Sequence, residues 1–139
     1  MVLSVLESKA KENYDLAETI KDTRKNSAIS RYYYACLQAI KYYLISNEIV
    51  SEEDINGAKQ STHQFLIAEY INSFRDHQDF RSNNAKFRKI HNIREARNKA
   101  DYDDETNYCS SSYSREYSNV ISDIREFVRI LRNYSSAPF

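Results

Sequence analysis

Glycine and proline are almost missing from this chain: Gly57 and Pro138 are the single examples of each in 139 residues. Sheet proteins reverse direction often, and tight reversals draw on glycine, proline and asparagine for their backbone angles. A sheet-rich architecture is therefore excluded, and an all-α class is expected. Cysteine is scarce too. Cys36 lies within an apolar stripe and Cys109 in a polar stretch, so no disulfide framework exists, and two reduced thiols of a cytoplasmic protein are the natural reading. No run approaches the roughly 20 apolar residues of a membrane span. The apolar run near the N-terminus is too short for a secretion signal. Excess charge is absent as well: 20 basic residues face 20 acidic ones. Net charge thus gives no pull toward nucleic acid or membrane, and any such attraction has to come from local clustering.

What is present is helical periodicity. Leu3, Leu6, Ala10, Tyr14, Ala17 and Ile20 recur at three- and four-residue steps and predict a first helix over residues 3–24. Residues 28–46, "AISRYYYACLQAIKYYLIS", are apolar on two faces. One face carries Ile29, Tyr33, Cys36, Leu37, Ile40 and Leu44, and the other Tyr32, Ala35, Ala39 and Tyr43. Such a helix is central, packed on several neighbours or on a partner chain. Tyr34 and Tyr42 flank its polar side and are expected at an interface or pocket. "SEED" at residues 51–54 reads as a helix start, Gly57 as a break, and Ser61 or Thr62 as the cap of a third helix bearing Phe65, Leu66, Tyr70, Ile71 and Phe74. A fourth helix is expected over residues 80–100 and a fifth over 113–133, with a polar loop between them and a frayed tail over about the last five residues. The expected architecture is a single domain over residues 1–139, an antiparallel bundle of four long helices plus a short fifth.

Charge is uneven along this pattern. Residues 80–100 hold Arg81, Lys86, Arg88, Lys89, Arg94, Arg97 and Lys99 against one acid, Glu95. A stripe of this kind attracts a phosphate backbone. It also suits a solvated face whose cations pair with acids on neighbouring helices, and basic residues near a helix C-terminus complement the macrodipole. Arg97 and Asp101 stand four apart, in position for a local ion pair.

Two segments together resemble one family. "SRYYYACLQAIKYYL" is similar to the second helix of HEPN domains, and "REARNKADYDD" to the end of their fourth helix, in the branch that reads Ala-Asp-Tyr-Asp. Their order and spacing fit over nearly the whole chain. The resemblance implies a small all-α bundle that forms a homodimer, without cofactor or metal. It implies an RNA- or nucleotide-binding protein of a prokaryotic toxin–antitoxin or phage-defence system, many relatives being metal-independent endoribonucleases. Other members are non-catalytic modules that pair with a nucleotidyltransferase or another protein.

The ribonuclease signature of the family is an arginine, a polar residue and then a histidine with four to six residues between it and the arginine. Arg97 and Asn98 match its start. Positions 102, 103 and 104 hold Tyr102, Asp103 and Asp104, so the histidine is replaced. Metal-free RNA cleavage needs a base for the 2′-hydroxyl and an acid for the leaving oxygen, tasks an imidazole performs near neutral pH. A phenol is a poor base there. Arg97, Asn98 and Tyr102 are the candidate catalytic residues, with Arg97 suited to stabilise phosphorane charge. Arg88, Lys89, His91, Arg94 and Lys99 are the candidate RNA- or nucleotide-binding residues, His91 being placed in sequence to reach a ligand together with Arg94. His63 reads as a polar cap or surface residue.

Overall fold

The computed structural model describes residues 2–139, and among them it contains helices and no strand. The all-α expectation holds. Helix α1 spans Val2–Ile20, α2 Lys25–Ser46, α3 Glu52–Asn56, α4 Thr62–Asn72, α5 Phe80–Phe87, α6 Lys89–Tyr102 and α7 Ser114–Ser135, the last preceded by a 3-10 turn at Ser111–Tyr113. No helix among the described residues is long and apolar enough to cross a membrane.

The two-faced helix is central, as its pattern requires. α2 packs on α1, α4, α6 and α7. Ile29, Tyr33, Cys36, Ile40 and Leu44 are fully buried, and so is Ala35. Each large aliphatic side chain buried in this way contributes roughly 1.5–3 kcal/mol relative to exposure. The first helix ends earlier than residue 24. A reversal held by the Arg24 N–H donating to the Ile20 carbonyl at 2.8 Å lets α2 start at Lys25. Ser51 opens α3 with a full capping box: its hydroxyl accepts the Asp54 N–H, and the Asp54 carboxylate accepts the Ser51 N–H. Ser61 rather than Thr62 caps α4, accepting the Gln64 N–H.

Two expectations fail. The fourth helix is not continuous over 80–100 but breaks at Arg88, whose φ of −81° and ψ of −6° stay in the right-handed region while departing from regular α-helical values. No glycine or proline marks this break. Its physical reason is burial: Phe87 packs against Phe74, Phe80 and Tyr134, while Ile90 and Ile93 of α6 enter the core beneath α2. Among the described residues there are thus seven α-helices where five were expected. The C-terminal tail is also docked rather than frayed. Ser136 adopts a left-handed conformation (φ 50°) that ends α7 and turns the chain back. Phe139 then stacks on Tyr14 of α1 at 4.6 Å, and Arg132 Nε donates to the Phe139 carbonyl at 2.9 Å.

Candidate functional site

Helix α6 turns Ile90, Ile93 and Ala96 into the core, which leaves Arg94 and Arg97, three residues apart, along one edge of its buried face. Arg94 is half-buried. Arg97 is 8% exposed, an unusual degree of burial for an arginine. Three tyrosines surround its guanidinium: the rings of Tyr34, Tyr102 and Tyr33 lie 5.0, 5.1 and 5.7 Å from it. Nη2 donates to the Tyr34 hydroxyl and, at 3.2 Å, to that of Tyr102, and Nη1 donates to Asn98 Oδ1 at 3.1 Å. Nε lies 3.0 Å from Asp101 Oδ2, a distance that makes the ion pair. The Nε–H is not directed along that line, so Nε is a buried donor without an aligned acceptor. The same Asp101 oxygen accepts the Ser30 hydroxyl at 3.1 Å.

His63, expected as a polar cap or surface residue, is neither the cap of α4 nor fully exposed, and it completes the cluster. Because Ser61 caps α4, His63 falls in that helix's first turn, facing α2. Its Nδ1 shares a 3.0 Å hydrogen bond with the Tyr33 hydroxyl, and its ring meets Tyr34 edge to face at 6.0 Å. Burial, and then the positive charges of Arg94 and Arg97, hold the His63 pKa below its usual value. Burial also pushes the Tyr33 phenol up to about 12, against the pull of the two arginines, so Tyr33 keeps its proton. His63 and Tyr34 line an open, mainly apolar groove between α1, α2 and α4, with Val5, Leu6, Leu37 and Leu66. The only sequence signal that could have found His63 is its place two residues after a capping serine; its nearness to Arg97 is long-range.

The depressed His63 pKa has a consequence for stability. The unfolded chain binds a proton near pH 6.5, the folded one only at lower pH. Stability is therefore unaffected by this group above that range and falls as pH drops through the unfolded value toward the folded one. His91, lowered by partial desolvation of a ring that is otherwise exposed and then by Arg88 and Arg94, acts in the same direction. Urea midpoints at pH 7.5 and 5.0 are expected to differ less in His63→Gln than in the wild type. Equal differences would mean that His63 is not desolvated.

The remaining basic residues divide. Lys89 is occupied: its ammonium lies 3.0 Å from Asp123 and 3.8 Å from Glu126 of α7, with Asp123 the larger cause of its raised pKa. Lys99 sits 3.6 Å from Glu95, and Arg88 Nε donates to Asn84 at 3.0 Å. His91 is exposed. Arg94 differs from all of these. Its Nε is buried and without a hydrogen-bond partner, and the side chain makes no ion pair among the described residues. Tyr102, the last residue of α6, is 70% exposed, so its phenol reaches solvent while touching Arg97. Asp103 closes the following loop, accepting from the Glu105 N–H and the Thr106 hydroxyl. No group of three or more histidine, cysteine or acidic side chains among the described residues is arranged to hold a metal ion.

Fold and site together define an all-α protein with a paired-arginine, imidazole and tyrosine cluster where α2, α4 and α6 meet. Comparison with protein-family models, with curated proteins and with solved structures finds no match for the chain.

Proposed function

We propose that this chain is a HEPN-like RNA- or nucleotide-binding protein, acting as a homodimer in a prokaryotic toxin–antitoxin or phage-defence setting, and that the Arg94–Arg97–His63 cluster receives the phosphate. The observation that carries the reading is the buried Nε of Arg94, which has no acceptor in the described chain. Buried polar donors are nearly always satisfied, and a charged one left without a partner calls for an acceptor from outside. A phosphate oxygen meets guanidinium geometry well.

The same cluster supplies the elements of metal-free RNA cleavage. With Nδ1–H donating to Tyr33, the Nε2 lone pair of His63 is free to take the 2′-hydroxyl proton, and a lowered pKa keeps that ring neutral near pH 7. Arg94 and Arg97 would stabilise the phosphorane charge. Tyr102 is the exposed phenol beside them and the candidate proton donor to the leaving oxygen. His63 would thereby take the role of the imidazole that the motif lacks.

The alternative, a non-catalytic module that pairs with a nucleotidyltransferase or another protein, is favoured by one feature: the apolar groove beside the cluster, with Val5 half exposed on it. Labelled RNA incubated with purified protein in EDTA separates the readings. Wild type, Arg94→Gln, His63→Gln and Tyr102→Phe are compared for cutting and for retention on a filter. Cutting lost in His63→Gln while RNA retention survives supports the nuclease. Retention that falls at least tenfold in Arg94→Gln, with no cutting by any form, supports a binding protein. Neither cutting nor retention by the wild type would overturn both and leave the interaction module.

A further inference from the structure

Helix α7 sorts its charges by face. Its acids Asp123 and Glu126 turn toward Lys89 of α6. Arg125, Arg129 and Arg132, spaced four and three residues apart on one stripe, instead line a cavity of about 220 Å³ between α7 and α1. The floor of this cavity is aliphatic, from Ile124 and Val128, and one wall is aromatic, with Tyr14 and Tyr32 edge to face at 5.9 Å. Arg132 is committed, donating to the Phe139 carbonyl and, at 3.3 Å, to the Tyr14 hydroxyl. Arg125 and Arg129 have no hydrogen bond or ion pair among the described residues, and both are exposed at the rim.

The carboxylate in the lining does not neutralise them. Glu18 accepts the Tyr32 hydroxyl at 2.8 Å and the Lys21 ammonium at 3.1 Å. Three guanidinium groups therefore surround a pocket whose one acid is already paired, above a small apolar floor. That is the composition of a site for a small amphiphilic anion: convergent cations to fix the head and an apolar, aromatic body to hold the rest. The cavity lies below the roughly 300–1,000 Å³ usual for drug-sized ligands, which limits the occupant to about one ring and one anionic group.

We infer that the α1–α7 cavity is a second binding site, for a small organic anion consisting of a phosphate or carboxylate on a single flat apolar ring. The site shares no residue with the Arg94 cluster and does not depend on the function proposed for it.

Phenyl phosphate is the probe, with benzoate, inorganic phosphate and phenol as comparisons. Binding is followed by calorimetry and by tyrosine emission, which is unobscured because the chain has 12 tyrosines and no tryptophan. The expected result is saturable binding of phenyl phosphate at least tenfold tighter than inorganic phosphate or phenol. It should weaken at least tenfold in Arg125→Gln/Arg129→Gln. Benzoate binding as tightly as phenyl phosphate would support the site and assign it to carboxylates as well; benzoate binding only weakly would support it as a phosphate-ester site. Both arginines are exposed, so the double variant should melt with the wild type. Phenyl phosphate binding no tighter than inorganic phosphate, or surviving the double substitution, or disappearing in Arg94→Gln instead, would overturn the proposal.

Discussion

Arg97→Ala is expected to lower the unfolding free energy by about 2–4 kcal/mol, a loss far larger than a surface arginine produces. Removal of the guanidinium takes the ion-pair partner from Asp101 and the hydrogen-bond donor from both Tyr34 and Tyr102. It also empties the space between three aromatic rings, each near enough for a cation–π contact. The value falls short of the upper range for a buried ion pair because the Asp101 side chain is 26% exposed and partly resolvated by water. Arg97→Lys should recover only part of the loss, since an ammonium cannot bridge two hydroxyls and a carboxylate in one plane. Urea unfolding of the three proteins measures this. A cost for Arg97→Ala below about 1 kcal/mol, within the range of an exposed pair, would show that the cage is not a structural unit.

Phe127→Ala is expected to cost more, about 3–5 kcal/mol. The ring is fully buried on α7 and meets Tyr70 of α4 edge to face at 6.1 Å. Tyr70 is fully buried as well, and burial raises its phenol pKa; its hydroxyl is satisfied by Ser135 at 2.6 Å, one of the few buried polar side chains. A cavity at Phe127 thus loses transfer energy and also loosens the contact that aligns this buried hydrogen bond. Against a typical total of about 5–15 kcal/mol, such a loss brings the protein near its unfolding threshold. Leu16→Ala, at a side chain that is 44% exposed, should change stability by less than about 0.5 kcal/mol. Similar urea midpoints for the two variants would refute the placement of Phe127 in the core.

The break at Arg88 and the docked tail show where linear reading stops. Helix α2 was legible because two apolar faces at helical spacing leave no other arrangement that buries both. The α3 and α4 starts were legible because a capping serine acts on N–H groups two or three residues away. The division of α5 from α6 has no local cause: residues 80–100 carry no helix breaker, and only the competition of Phe87 and Ile90 for the same core bends the chain. The tail gave no periodic signal, yet a left-handed Ser136 and a ring on α1 secure it.

The candidate site divides in the same way. Composition and periodicity alone determined that this protein is helical, that α2 is its centre, and that cationic charge concentrates between residues 80 and 100, since each of these depends on residue type and on neighbours a few positions away. Only tertiary structure decided which of those cations are free. Lys89 is matched by acids of α7, whereas Arg94 keeps a buried donor without an acceptor, and that difference is set by side chains more than 25 residues distant in sequence. Tertiary structure also brought His63 to Tyr33, Tyr34 and the arginines. An imidazole stands in the folded cluster because α4 and α6 both pack on α2, and packing joins residues without regard to their separation along the chain.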